Sequence, residues 1–456
     1  MTGSASRWLR PVFGALAGAG AIAAIALVPL IEVPPIAPEP ASVAVSPPSA
    51  GQTLVCAGDL LVSARDSTAV SSITVAAPQA VATAGESAID RGELASDAAG
   101  AAPLVLRSMP GSEPFAAAGS ATVGDPDLAG YSAASCRLPL LDSWLVAGAG
   151  TTGAADLVVL SNPGEVAATV TLTVYGASGA EVPPGGGGII VRPGAQRIIP
   201  LAGIALGEES PVVHVQATGA PVAASLQSSI TRVLEPGGVD QSGGLSELAT
   251  SQTIVGVTVT EGALASGSGL SGTMVRVLSP DADTEATISV RAVGAAAPAI
   301  DPVNVQLRSG IPAAVEMPSL PVGSYTVDVV ASTPVAAAVW QTTGFGAGSD
   351  FAWYQASPQI ESSAVIAVPS GPGPVLTIAN PGSADVTVEL AEPGSGPVPV
   401  TVPAGASVQV PLRAAIAYEL TGGPVRASVG YVGAGALGAF PVFPATAGQE
   451  PIVVYP

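Results

Sequence analysis

The sequence of 456 residues contains no lysine, a single histidine and only two cysteines. The missing lysine excludes the P-loop of nucleotide-hydrolysing proteins and the Ser–Lys hydrolase motif, because both need its ammonium group. One histidine and two distant cysteines are too few ligands for a zinc site, and no G-x-S-x-G nucleophile motif occurs. We therefore predict that the chain is not an enzyme and has no nucleotide, metal or other cofactor.

Charged and aromatic residues are also scarce, at 11% and 4%, whereas 48% of the residues are hydrophobic. The 34 acidic residues exceed the 14 arginines, which gives a net charge of −20. Such a surface repels nucleic-acid phosphates, so nucleic acid is not an expected partner. The 44 prolines are too many for a helical protein. Together with 55 glycines between short Val, Ile and Thr runs, they predict an all-β fold with many turns.

The N-terminus predicts a membrane anchor. Arg7 and Arg10 precede an uncharged, mainly apolar run over residues 11–31, and Glu32 follows it. As a helix this run spans roughly 31 Å, the thickness of a bilayer core. The flanking charges place residues 1–10 in the cytoplasm and the rest outside the cell membrane. The alternative is a cleaved signal peptide. Residues 32–50 then form a proline-rich linker.

An internal repeat is the strongest sign of domain organisation. In three stretches, a strand ends at Asn162-Pro163-Gly164, Ser279-Pro280 or Asn380-Pro381-Gly382, and an alternating apolar–polar strand follows. Alternation of this kind buries one face of a sheet. The pattern predicts tandem antiparallel β-sandwich modules of immunoglobulin-like type. The predicted repeats are 149–235, 236–345 and 346–456, after an N-terminal β segment, 51–148, with a long loop over 83–130.

The two cysteines, Cys56 and Cys136, both lie in predicted strands of the N-terminal segment. In the cytosol they would be free thiols. Outside the membrane they would form one disulfide bond, worth about 4.5 kcal/mol if chain entropy alone is counted. Because the N-terminus indicates export, we predict the bond.

Three motifs resemble functional sites, and in each case we favour a structural interpretation. His214 is either a lone base or an ordinary strand residue. The two G-x-G-x-x-G matches, at 148–153 and 267–272, precede predicted strands, whereas a dinucleotide site needs a helix there. The acidic run 281–285 lacks the glycine and the distal glutamate of a calcium loop, so we interpret it as polar turn residues.

The densest aromatic cluster is the segment 340–354, with five of the chain's 17 aromatic residues around one acid. Aromatic faces beside a carboxylate can hold a sugar or a protein surface. The alternative is a packed core at the junction of the second and third repeats. The candidate binding residues are Trp340, Phe345, Asp350, Phe351, Trp353 and Tyr354.

Several segments resemble a known family. The run 56–61 in the predicted strand 53–62, the later Cys136, the run 143–148 and the block ending in Asn162-Pro163-Gly164 are similar to an uncharacterised actinobacterial family of membrane-anchored envelope proteins, a domain-of-unknown-function group. The resemblance implies an extracytoplasmic location and a role near envelope glycan. It implies no activity and no catalytic residue.

We therefore expect a non-catalytic, membrane-anchored envelope protein that scaffolds, adheres, or binds a glycan or another envelope protein through its sandwich modules. One alternative is a carboxylate-based glycan hydrolase, because two acids suffice for that chemistry. Another is an accessory subunit of a membrane enzyme that assembles envelope glycan.

Overall fold

The computed structural model describes most of the chain beyond the predicted linker: residues 51–63, 72–85, 88–265 and 272–445, and the backbone of strands β1 (Val43–Val45) and β36 (Ile452–Val454). The two strands pair antiparallel with each other and belong to a unit distinct from residues 48–449. The predicted anchor over 11–31 lies outside the described residues, as does most of the linker. No helix among the described residues has both the length and the apolar character needed to cross a bilayer.

Residues 48–449 form one compact unit, and its described part is nearly all β. Its helical elements are the short α1 (Glu261–Ala265) and a 3-10 turn over Leu201–Gly203. The described strands pair antiparallel, except for one short parallel pairing between Ala95–Ser96 and Ala195–Pro200, and one isolated parallel bridge joins Thr74 to Ala99. The prediction of an all-β fold of antiparallel sheets is confirmed.

The N-terminal part forms three small sheets, ordered β2–β8–β6, β10–β9–β5 and β3–β4. Its strands, numbered in chain order, are β2 (Thr53–Val55), β3 (Leu60–Ser63), β4 (Ile73–Ala77), β5 (Ala80–Gly85), β6 (Ile89–Glu93), β7 (Ala95–Ser96), β8 (Leu104–Ser108), β9 (Phe115–Gly124) and β10 (Ala129–Ser135). The predicted disulfide between Cys56 and Cys136 is confirmed.

The prediction of a long loop over residues 83–130 is wrong, because strands β5 to β10 fill most of this segment. β9 consists largely of Ala, Gly and Ser, which have low strand propensity, yet it pairs with a neighbour on both edges. Tertiary packing overrides propensity here. Gly119 shows why small residues are used: a Cβ at this position would lie 2.3 Å from Cδ of Gln79.

The first repeat forms two sheets, ordered β11–β17–β13–β14, with β15 on β13, and β19–β18–β12–β16–β7. Apolar side chains of both sheets, among them Leu160 and Leu172, lie in one buried core. The strands are β11 (Asp142–Leu145), β12 (Leu157–Asn162), β13 (Ala168–Gly176), β14 (Gly179–Glu181), β15 (Ile189–Val191), β16 (Ala195–Pro200), β17 (Val212–Thr218), β18 (Ala223–Arg232) and β19 (Glu235–Gly243).

The second repeat is organised around a strand of 20 residues, Gly323–Thr342. Its first part pairs with Ala249–Val259 and Thr284–Ala292, and its last part pairs with two other strands. One strand therefore belongs to two sheets. The strands are β20 (Ala249–Val259), β21 (Thr273–Leu278), β22 (Thr284–Ala292), β23 (Val303–Leu307), β24 (Ala313–Glu316), β25 (Gly323–Thr342) and β26 (Phe351–Gln355).

The third repeat again forms two sheets, ordered β27–β34–β29–β32, with β35 on β34, and β28–β33–β30–β31. Its core includes Ala84, Ala118 and Tyr131 of the N-terminal part, whereas the first two repeats share a single core. Because cores are shared, the domain boundaries stay predictions. The strands are β27 (Gln359–Ile360), β28 (Ser363–Ala367), β29 (Val375–Ala379), β30 (Val386–Ala391), β31 (Val398–Val402), β32 (Ser407–Pro411), β33 (Ala417–Thr421), β34 (Val425–Gly433) and β35 (Ala436–Pro441).

The repeated asparagine turn has the same geometry in the first and third repeats. The buried amide of Asn162 donates to the carbonyls of Val166 and Val191, at 2.8 and 3.0 Å. The equivalent amide of Asn380 donates to Ala384 and Val402 at the same two distances. In both repeats the asparagine oxygen also accepts a hydrogen bond from the glycine two residues later. The asparagine side chain thus provides hydrogen-bond partners for backbone carbonyl and N–H groups of the turn that would otherwise be buried without one.

Candidate binding site

The aromatic segment predicted as a binding surface lies mostly inside the protein. Trp340 on β25 pairs with Trp353 on β26. Four of the six candidates are buried, and the other two, Trp340 and Phe345, are half-buried. The buried four are Asp350, Phe351, Trp353 and Tyr354. Their burial favours the packing interpretation, while a binding role for this segment stays a prediction.

Asp350, the acid of that segment, joins four parts of the chain. It directly precedes β26, and its carboxylate accepts hydrogen bonds from the backbone N–H groups of Tyr131 (2.9 Å), Val239 (3.1 Å) and Leu437 (3.0 Å). These donors lie on β10, β19 and β35. Burial raises the pKa of Asp350 to about 7, although the hydrogen bonds act in the opposite direction.

Two glycines with positive φ make room for this carboxylate. A Cβ on Gly130 would lie 2.5 Å from Oδ1 of Asp350, and a Cβ on Gly238 would lie 2.7 Å from the same atom. Any other residue would push the carboxylate out of place. Three backbone donors and two glycines thus hold this carboxylate inside the fold, which favours a structural role for Asp350.

A second buried charge, Arg276, connects the second repeat to the first. Its guanidinium donates to the carbonyls of Gly148 and Pro211, each at 2.8 Å, and lies 4.6 Å from the ring centroid of Trp353. Burial lowers the pKa of Arg276 to about 9, and burial raises the pKa of the neighbouring Asp156 to about 6. Gly148 opens the first G-x-G-x-x-G match, and strand β12 follows this loop. The loop is therefore a structural turn.

His214 and the acidic run 281–285 lie on or near the surface, whereas the second G-x-G-x-x-G match lies, apart from Gly272, outside the described residues. The ring of His214 stacks on Trp144 with centroids 3.9 Å apart, and its Nε2 lies 2.8 Å from the carboxylate of Asp142. In the acidic run, the Asp283 carboxylate accepts the N–H of Ser309 at 2.7 Å. Among the described residues, no group of three or more His, Cys, Asp or Glu side chains is arranged to hold a metal ion.

A different site, the Arg137 pocket, lies beside the disulfide bond. Strands β2, β9 and β10 of the N-terminal part line it, together with β28, β35 and the segment that follows β35. Its volume is about 160 Å³, and it is partly open to solvent. Its apolar lining includes Leu54, Phe115, Leu138, Val365, Phe440 and Phe443. An enclosed apolar space of about 150 Å³ accommodates a benzene molecule, so this pocket fits one small hydrocarbon group.

Arg137 supplies the only described positive charge in the lining of this pocket. One guanidinium nitrogen donates to the carbonyl of Gly244 at 2.9 Å, and the group lies 3.9 Å from the ring centroid of Phe443. Burial lowers the pKa of Arg137 to about 10, and no carboxylate of the described residues forms an ion pair with it. The half-buried cation therefore has donor capacity that the described contacts leave unused.

Sequence reasoning missed this pocket. Its walls come from segments more than 200 residues apart, such as Leu54 and Phe443, and neither segment stands out in composition. The sequence does contain one indication of this site. Arg137 directly follows Cys136, so a disulfide bond fixes the backbone beside one of the few cations of the chain.

A family of unknown function (DUF5719) matches residues 94–418 of the chain. The matched range starts just before β7 and ends in β33, so it includes Arg137 and Asp350 and reaches into all three repeats. A search of the curated proteins finds no match.

Proposed function

The chain belongs to this family of unknown function, DUF5719, and we propose that it is a non-catalytic binding protein of the cell envelope. In this proposal the Arg137 pocket holds an apolar side chain and the neighbouring acid of a protein partner. The three pairs of sheets are tandem immunoglobulin-like modules, and residues 11–31 anchor them to an actinobacterial cell membrane.

The observation that carries the proposal is the state of Arg137. Removing a guanidinium from water costs free energy unless an anion or several acceptors replace the water. Here one backbone carbonyl and one aromatic ring do so within the described residues. A bound carboxylate would accept hydrogen bonds from the guanidinium N–H groups that these contacts leave unused, and charge-assisted hydrogen bonds are among the strongest in proteins.

The lining favours a protein partner over a sugar. Sugar rings carry hydroxyl groups around their edges, and each needs a hydrogen-bond partner when it is buried. The pocket wall is dominated by apolar side chains such as Leu54, Phe115 and Phe440. An aliphatic or aromatic side chain next to an acid matches both the apolar space and the cation.

The disulfide bond supports the location outside the cytoplasm. Disulfide bonds persist in oxidising compartments and are rare in the cytosol. Cys56 and Cys136 are joined at the pocket wall, so the shape of the site depends on the compartment that the N-terminus predicts.

The test compares benzoate with benzamide, which share a ring but differ in charge. The full chain, held in lipid nanodiscs, is titrated with each compound and followed by ligand-observed NMR, with empty nanodiscs as a blank. We expect benzoate to bind on the order of 1 mM, which a ligand of this size reaches at about 0.5 kcal/mol per non-hydrogen atom. Benzamide should bind roughly tenfold more weakly, because it lacks the charge-assisted hydrogen bond.

Two variants decide whether the pocket is responsible. Arg137→Gln should remove the preference for benzoate, and Phe443→Ala should weaken both compounds. Arg91→Gln, at an arginine outside the pocket, is the matched control and should behave like the wild type. Equal binding of benzoate to the wild type and to Arg137→Gln would refute the proposal.

A further inference from the structure

The hairpin between β18 and β19 ends in an unusual two-residue turn, Val233–Leu234. Val233 has a φ of +61°. Tight hairpin turns of this kind normally use Asn, Asp or Gly, because a β-branched residue is strained at positive φ. The folded protein is therefore less stable with Val233 at this position than it would be with a common turn residue.

The same turn exposes its apolar side chains. Val233 is 97% exposed and Leu234 is 84% exposed. Just below the turn, Arg232 donates to Ser349 at 3.3 Å and lies 5.3 Å from the ring centroid of Phe345. The base of the hairpin is thus held in place while its tip extends into solvent. Residues that disfavour their own backbone conformation and bury no surface in return are often found at functional sites.

The tip and the Arg137 pocket match in size and charge. Leu234 carries a four-carbon side chain, which fits a space that accommodates a benzene-sized group. The next residue, Glu235, is exposed and provides a carboxylate. The pocket offers an apolar wall beside an arginine without an ion-pair partner among the described residues. An apolar side chain followed by an acid is the ligand that the proposed function requires.

We propose that Leu234 of one copy of the chain enters the Arg137 pocket of a second copy, where Glu235 pairs with Arg137. The inference rests on the proposed function of the pocket and names its partner. Leu234 would reach the pocket from another copy, because it is exposed and does not line the pocket of its own chain. Each copy has one tip and one pocket, so the contact either closes into a ring or extends into a row.

The first test separates association from stability. In Val233→Gly/Leu234→Asn, glycine takes the first turn position, where φ is positive, as this kind of two-residue hairpin turn prefers. We expect this variant to melt at or above the wild-type temperature and to lose self-association, measured by sedimentation of the full chain in nanodiscs. Loss of one buried leucine weakens association by roughly tenfold to a hundredfold. Leu206→Asn is the control: Leu206 is 85% exposed at another site, and its replacement should change nothing.

The second test uses the cysteine content of the chain. Both native cysteines are in the disulfide bond, so an introduced cysteine is the only free thiol. Leu138, 39% exposed at the pocket, is changed in one population (Leu138→Cys) and Leu234→Cys is made in another. Mixed under mild oxidation, the two should form a covalent heterodimer, and Leu206→Cys in place of Leu234→Cys should not.

The outcomes distinguish the two proposals. If Leu234→Cys does not cross-link to Leu138→Cys faster than Leu206→Cys does, and the wild type does not self-associate, the copy–copy contact is refuted. The binding function of the pocket still stands in that case if benzoate binds through Arg137. If Arg137→Gln changes neither benzoate binding nor self-association, both proposals fail.

Discussion

Asp350 and Arg137 are both charged groups that lose water on folding, but their surroundings differ. Asp350 is fully buried, and backbone N–H groups from three other strands donate to it. Arg137 is half-buried, with one carbonyl and one ring as its described partners. The first charge is satisfied within the chain and holds its parts together. The second has capacity left for a partner. On this difference we base the proposal that Asp350 is a structural charge and Arg137 a binding one.

The largest effect that tests this comparison is expected from Asp350→Ala. The change leaves three buried N–H groups without an acceptor, and each such group costs about 1–3 kcal/mol. We expect the free energy of unfolding to fall by roughly 3–5 kcal/mol, measured by urea titration. A loss below about 1 kcal/mol would contradict the structural role of Asp350.

The second effect is a dependence of stability on pH. The pKa of Asp350 is raised to about 7 in the folded state and that of Asp156 to about 6, both by burial. A raised pKa of an acid means that folding favours the protonated form. Its contribution is complete below the ordinary value near 4 and is lost as the pH rises to about 7. Moving one carboxyl from near 4 to about 7 is worth roughly 4 kcal/mol.

We therefore expect the free energy of unfolding to decrease between pH 4.5 and pH 7.5. Asp350→Ala should make this dependence shallower but should not abolish it, because burial also raises the pKa of Asp156 and of Asp240. Asp301→Asn, at an exposed acid, should leave it unchanged. Stability that rises over this range in the wild type would show that the hydrogen bonds to Asp350 outweigh its burial.

The smallest effect on stability is expected from Arg137→Gln. The variant loses one hydrogen bond and a contact with Phe443, so the free energy of unfolding should change by less than about 1 kcal/mol. The matched variant Arg276→Gln removes a fully buried cation from its carbonyl partners and should cost several times more. The free energies of unfolding are measured by urea titration. If the two variants lose equal amounts, the proposed difference between a structural charge at Arg276 and a binding charge at Arg137 is refuted.

Local signals predicted a large part of the fold. Proline and glycine content predicted the all-β class, and the Asn-Pro-Gly turns predicted the repeat that Asn162 and Asn380 reproduce in their hydrogen bonds. The strands in 83–130 were missed because Ala and Gly in β9 give no strand signal of their own. The Asp350 contacts and the Arg137 pocket were missed for another reason: their partners lie far away in sequence, and no local pattern records them.

The long strand β25 has a mechanical consequence. Its first part is paired on both edges with β20 and β22, and its last part with β21 and β26. Tension that reaches this strand along its length is resisted by backbone hydrogen bonds loaded in shear, many at a time. The two sheets of the second repeat cannot be peeled apart one after the other while one continuous backbone passes through both. Under load along β25, the hydrogen bonds of both sheets should therefore break together.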